Sequence, residues 1–115
     1  MNPDCIFCKI VAGTIPSDKV YETENILVFK DISPCAPVHY LLIPKKHIPS
    51  LLEMQAEDGP VMAELLQAAR HLGETVPELK RNFRLAASTG PDAGQVVMHV
   101  HFHMIGGRKL NWPPG

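Results

Sequence analysis

Apolar positions recur at two different periods along this chain, and each change of period marks a new element. Over Cys5 to Ala12, the residues Ile6, Phe7, Ile10 and Val11 fall at helical spacing and Gly13 supplies a stop. This predicts a short N-terminal helix. Lys19 to Thr23 and Ile26 to Lys30 read as strands flanking a Glu24-Asn25 turn, hence a hairpin. Ser33-Pro34 and Ala36-Pro37 force an extended connection into Val38 to Ile43, an almost continuous apolar strand closed by Pro44. From Asp58 to about Val76 the period is helical again. Val61, Met62, Leu65, Leu66, Ala69 and Leu72 form one stripe, with Pro60 suited to the first turn and Asp58 or Gly59 as cap. Phe83 to Ala87 and His99 to Ile105 are the last two strands, separated by a loop rich in turn formers from Thr89 to Gln95.

Strands, then one long helix, then strands again predict an α+β domain. Its expected form is a five-stranded antiparallel sheet with the long helix on one face. One helix covers only one face of such a sheet, so a second copy of the chain is expected to cover what remains.

Composition narrows the class. A chain of 115 residues is expected to form one domain, residues 1–115. Twelve acidic against eleven basic residues give a net charge of −1. That balance argues against a nucleic-acid or anionic-membrane binder, which carries a basic excess. No apolar run approaches the ~20 residues that span a bilayer. Met1-Asn2-Pro3-Asp4 lacks the charged-then-apolar pattern of a signal peptide. A cytoplasmic enzyme or small binding protein is the expectation. The three cysteines are an odd number and fit a reduced chain better than a disulfide framework.

His99-Val100-His101-Phe102-His103 is the strongest chemical signal. On a strand, residues two apart share a face, so the three imidazoles are expected side by side with Val100 and Phe102 turned away. His99 and His103 would then stand roughly 13 Å apart, too far for one metal ion to bind all three. The histidines must divide their duties. A neutral imidazole is a nucleophile near neutral pH, and a second one can donate a proton or bind an oxyanion. Glycine-rich backbone can approach phosphate oxygens closely. Phosphoryl or nucleotidyl transfer suits these parts. Acyl transfer suits them less, since no serine or cysteine sits in a nucleophile elbow.

The run from His99 to Ile105 resembles the histidine triad, His-x-His-x-His followed by apolar residues. Phe29 to Pro34, Ala36-Pro37-Val38-His39, Ile43 to Ile48, Gly94-Gln95 and Trp112-Pro113-Pro114-Gly115 resemble, in collinear order, the branch called histidine triad nucleotide-binding proteins. The resemblance implies a homodimer with a continuous sheet. It also implies hydrolysis of purine nucleoside phosphoramidates such as an adenosine 5′-monophosphoramidate. Residue by residue, it makes His101 the nucleophile that carries a transient nucleotidyl group, and places His103 beside the same phosphate. Asp31 corresponds to the acid that binds ribose hydroxyls, Ile32 to an apolar contact with the base, and Gly94, Gln95 and Val96 to the phosphate loop. Two positions depart from the pattern. Ser88 stands where close relatives have asparagine, and Val96 where some have a serine whose hydroxyl assists the leaving group. Related enzymes using the same nucleophile on dinucleoside polyphosphates, or as nucleotidyltransferases, are the alternative, and a non-catalytic nucleotide-binding module is a third.

Cys5-x-x-Cys8 has metal-ligand spacing but needs two further ligands, for which His47 and His99 are candidates. A redox pair or two inert thiols are the competing readings. Some bacterial members of the family hold a structural zinc with this set, which the resemblance extends to Cys5, Cys8, His47 and His99. Taken alone, His39 reads as a core histidine, Lys45 and Lys46 as a solvated pair, His71 as having no function and Trp112 as an exposed tail residue. By resemblance, the tail reaches toward a partner subunit's active site.

Overall fold

A computed structural model describes residues 2–115. Seven elements carry the fold. They are α1 (Ile6–Ala12), β1 (Lys19–Glu22), β2 (Ile26–Lys30), β3 (Val38–Pro44), α2 (Gly59–Thr75), β4 (Phe83–Ala86) and β5 (Phe102–Gly106), with short 3₁₀ turns in the connections. The strands form one antiparallel sheet in the order β1-β2-β3-β5-β4. The last strand in sequence therefore lies beside the central β3, and β4 forms an outer edge.

The twofold alternation of strand side chains sorts the core into two layers. Ile26, Val28, Val38, Tyr40, Leu42 and Met104 face α2, which answers with Leu65, Ala68, Ala69 and Leu72. Leu27, Phe29, Leu41 and Ile43 face the other way, against Phe7, Cys8 and Ile10 of α1. The second face is thus covered within the chain by α1 and the connection through Val97, rather than left bare as the helix count suggested. Burying β2 and β3 on both faces explains why their sequences read as unbroken apolar runs. Leu66 lies off the helix stripe, half exposed at 52%, and Ala68 takes its place. Ile6 likewise turns outward.

Local signals acted where they were expected, with two differences. Gly13 ends α1 in the left-handed region at φ +81°, as a C-terminal glycine does. Asp58 precedes α2 but its side chain does not cap it. The buried carboxylate instead accepts the Gln55 N–H at 2.9 Å and the Lys46 ammonium at 2.6 Å, so Lys46 is tied down rather than merely solvated. The larger difference is β5, which starts at Phe102 rather than His99. Val100 N–H donates to Ile48 O instead of joining the ladder. The segment that carries His99 and His101 is pulled off the sheet toward α1.

Two glycines make the packing testable. A Cβ on Gly106 would collide with Leu79 Cδ2 and lie 2.8 Å from Asn82 O, a backbone atom that cannot step aside. A Cβ on Gly73 would meet only the ring of Phe83, which is 39% exposed and free to rotate. Gly106→Ala is expected to cost about 1–3 kcal/mol and lower Tm by on the order of 10 °C. Gly73→Ala should sit within a few degrees of wild type, because alanine's helix preference of about 1 kcal/mol offsets the small shift of the ring. Thermal melts of the two variants side by side check this.

Candidate active site and metal centre

The site grows from the α1 face of the sheet. Leu41 and His39 share that face of β3, and on β5 the register pairs Leu41 with His103 and His39 with Ile105. Pleating therefore puts the His39 and His103 rings on one side, as diagonal neighbours. The off-sheet segment brings His101 next to them, its ring centroid 5.1 Å from that of His103. Phe7 of α1 stands edge-on to both His99 and His101, at 5.8 and 5.1 Å, and separates a candidate metal-ligand cluster from a candidate catalytic one.

In the first cluster, Cys5 occupies the N-cap of α1, where its sulfur accepts the Cys8 N–H at 3.4 Å. One turn of helix thereby presents both thiols to one point. His99 is fully buried, and its Nε2–H donates to Pro44 O at 2.8 Å. A carbonyl can only accept, so Nδ1 keeps its lone pair, and it lies 3.3 Å from Cys5 Sγ and 3.6 Å from Cys8 Sγ. His47 Nδ1 lies 3.3 Å from Cys8 Sγ. All four ligand atoms fall within 4.8 Å of one another. Around a tetrahedral ion with bonds of about 2.3 Å to sulfur and about 2.05 Å to nitrogen, S and N ligands stand about 3.6 Å apart. The separations and the donor set both fit a metal ion. Burial, the main cause, pushes the His99 imidazole down to about 4, so it stays neutral and able to ligate, while burial raises the Cys5 thiol above its ordinary value.

In the second cluster, His101 is buried, and its Nδ1–H donates to the His99 carbonyl at 2.7 Å. By the same reasoning His101 Nε2 keeps a free lone pair. His103 Nδ1 lies 2.8 Å from His39 Nε2, and the Cys35 N–H donates to His39 Nδ1 at 3.1 Å. Asp31 Oδ2 is 3.4 Å from His39 Nε2, and its Oδ1 accepts the Ser33 N–H at 2.8 Å. Asp31, His39 and His103 are close enough to suggest a second metal group. Yet two ligands on one ion with bonds of about 2.1 Å stand at least roughly 3 Å apart, so a 2.8 Å contact is a hydrogen bond instead. Burial lowers the His103 pKa, with His101 and His39 adding to the effect and Asp31 opposing it.

The remaining residues named from the sequence lie around these two clusters. Ile32 is 99% exposed and Val96 89% exposed, both available to a ligand. Gly94 adopts the left-handed region, at φ +95°, and Ser88 is its side-chain neighbour across the loop. Gln95 is spent on architecture. Its Oε1 accepts the Gly90 N–H at 2.9 Å, and its Nε2 donates to Pro49 O and Val97 O at 2.8 and 3.1 Å. His71 packs against Tyr21, away from both clusters. His39 is the site residue that reading the sequence placed in the core. Parity puts it on the β3 face of Leu41 and Ile43, but only the structure shows that this face turns toward α1 and the second histidine.

Comparison with known proteins gives the family and the fold. The family described as HIT domain matches residues 12–110. An uncharacterized HIT-like protein of Synechococcus elongatus is 44% identical over 115 residues, covering all of both chains. The crystal structure of a HIT family hydrolase from Legionella pneumophila superposes with a TM-score of 0.93 at 42% identity, covering 97% of this chain and 100% of that one. A histidine triad protein from Clostridium difficile superposes with a TM-score of 0.92 at 38% identity, over 96% of each chain. The chain belongs to the histidine triad (HIT) domain family.

Proposed function

We propose that this protein hydrolyses purine nucleoside 5′-phosphoramidates through a covalent nucleotidyl-His101 intermediate. The observation that carries the reading is the 2.7 Å bond from His101 Nδ1–H to the His99 carbonyl, which leaves Nε2 as a fixed, unprotonated nucleophile beside His103. Nε2 attacks phosphorus and the P–N bond breaks. The departing amine takes its proton from His103. Water then attacks the nucleotidyl-histidine, its proton returns to His103, and the nucleoside monophosphate leaves with His101 restored. In the same reading Asp31 accepts the ribose hydroxyls, Ile32 lies against the base, and the backbone at Gly94 and Val96 holds the phosphate with Ser88 beside it. Gln95 serves the loop by bracing it. With valine at position 96 there is no hydroxyl there to assist the leaving group, which puts that duty on His103.

The metal we propose is zinc, held by Cys5, Cys8, His47 and His99. When bound it supplies a cross-link that ties α1 to the segment presenting His101, and takes no part in the chemistry. No described helix is long and apolar enough to cross a membrane. The thiols are all free, which supports placing the protein in a reducing cytoplasm. We also propose a homodimer. The outer edge strand β4 and the half-exposed Phe83 and Leu66 offer a surface for it. Trp112, 79% exposed, extends from that same edge, where Arg84 donates to Asn111 O at 2.9 Å and lies over the indole at 5.9 Å.

His101→Ala should abolish turnover of an adenosine phosphoramidate while nucleotide affinity stays within about tenfold, or ~1.4 kcal/mol, and intact mass of wild type quenched during turnover should carry one nucleotidyl group. Metal analysis of protein purified without chelator should find about one zinc per chain, and Cys8→Ala should lose it together with several degrees of Tm. Deleting Asn111 to Gly115 should change the ratio of kcat/KM between two leaving groups about ten- to thirtyfold without abolishing chemistry, and light scattering should give the mass of a dimer.

A further inference from the structure

The four candidate metal ligands are not equally enclosed. A cavity of about 540 Å³ is lined by Cys5 and His47, together with Ile6, Pro49, Val96 and Met98. Cys8 and His99 lie behind this wall, 1% and 0% exposed. The thiol pair is thus asymmetric, with an outer sulfur on Cys5 that a small solute can reach and an inner one on Cys8. Both sulfurs belong to a group of atoms within 4.8 Å of one another. Cys5 is the N-cap of α1, with extended backbone, and its sulfur accepts the N–H of Cys8 three residues on. A Cys-x-x-Cys pair at a helix start is the arrangement in which thiol and disulfide forms interchange in disulfide oxidoreductases.

We propose that Cys5 and Cys8 form a reversible oxidation site, at which a hydroperoxide turns two thiolates into a disulfide and so cuts the tie between α1 and the segment of His101. The proposal rests on the zinc reading only for what holds the thiolates beforehand; the disulfide itself needs nothing but the two sulfurs. The Cys5 thiolate attacks the peroxide, an S–O bond forms, the O–O bond breaks and hydroxide leaves. The Cys8 thiolate then attacks the Cys5 sulfur, the S–S bond forms and the S–O bond breaks, releasing a second hydroxide. Two electrons pass from sulfur to peroxide, and the hydroxides take two protons from solvent to become water. A disulfide no longer supplies thiolate ligands, so only His47 and His99 of the four would remain for a metal. His99 Nδ1, which stands 3.3 and 3.6 Å from the two sulfurs, then loses its link to α1 and keeps only the bond to Pro44 O. The His99 carbonyl that orients His101 is left anchored on one side, next to a single backbone bond from Val100 to Ile48. A dithiol reverses the change by exchange.

The test uses the full chain purified without chelator and titrated with hydrogen peroxide. Peptide mapping should show one Cys5–Cys8 disulfide, a loss of about 2 Da, and a chromogenic chelator should record zinc released in equal amount. Cys35, exposed and outside both groups of candidate ligands, is the internal reference. Oxidised Cys35 beside reduced Cys5 and Cys8, with zinc retained, would overturn the proposal. Two variants read the order of attack. Cys8→Ser, which lacks the resolving thiol, should stop at a Cys5 sulfenic acid that a cyclic 1,3-diketone traps, whereas Cys8 in Cys5→Ser should stay unlabelled over the same interval. Faster labelling of Cys8 would contradict the assigned order. The consequence for the site is read without substrate, as faster amide hydrogen exchange at Val100 in the oxidised protein, reversed by a dithiol with added zinc. Turnover of a nucleoside phosphoramidate should fall about 10- to 100-fold in parallel, the cost of misplacing a catalytic group by up to about 1 Å. A complete disulfide that changes neither exchange nor turnover would refute the link to His101. Protein that carries no zinc at the outset would remove the zinc reading, yet disulfide formation and the exchange at Val100 would still decide the proposal.

Discussion

The hydrogen bond from His101 Nδ1 to the carbonyl of His99 is the contact on which the site depends, because its acceptor belongs to a residue that is itself anchored on two sides. The His99 ring donates to Pro44 at the end of β3 and turns its lone pair to the two thiols of α1. The backbone that holds His101, the proposed nucleophile, is therefore referenced at once to the central strand and to the N-terminal helix. Burial keeps the His99 ring neutral, as both duties require. Leaving the sheet at this point costs the segment its ladder bonds, and the Val100 bond to Ile48 recovers one of them.

This arrangement explains why a helix of seven residues matters in a chain whose core is built mainly on α2. Phe7 packs edge-on to both His99 and His101 and holds the two rings apart. A metal ion at the thiols would join the same helix to the same segment by a second route. The candidate metal centre and the proposed catalytic histidines thus share one face of the sheet, and its other face is left to ordinary packing.

Much of this was legible in the sequence. The elements followed from apolar period and from Gly13, Pro44 and Pro60, because local preference and burial pointed the same way at those places. The triad histidines and the four candidate ligands stood out through their spacing and through the family resemblance, and the structure brings each group together. Three matters were not legible. Strand parity predicts that alternating histidines share a face, but it cannot show that the segment of His99 and His101 leaves the ladder for Ile48. His39 looked like core because an apolar strand buried on both faces gives no sign of which residue adjoins a second histidine. Gln95 sat in a phosphate-loop motif, and only its three hydrogen bonds identify it as the brace of that loop. Contacts of this kind join segments distant in sequence or depend on how a loop closes, and a local pattern carries no information about either.

If the backbone of His99 aims His101 Nε2 at phosphorus, a crystal structure of the protein with a non-hydrolysable nucleoside phosphoramidate analogue will show it most directly. His101 Nε2 should then lie about 3–3.5 Å from phosphorus and in line with the leaving group, with the bond from Nδ1 to the His99 carbonyl intact. A phosphate lying against another side chain, or a His101 ring flipped so that Nδ1 faces the ligand, would contradict it.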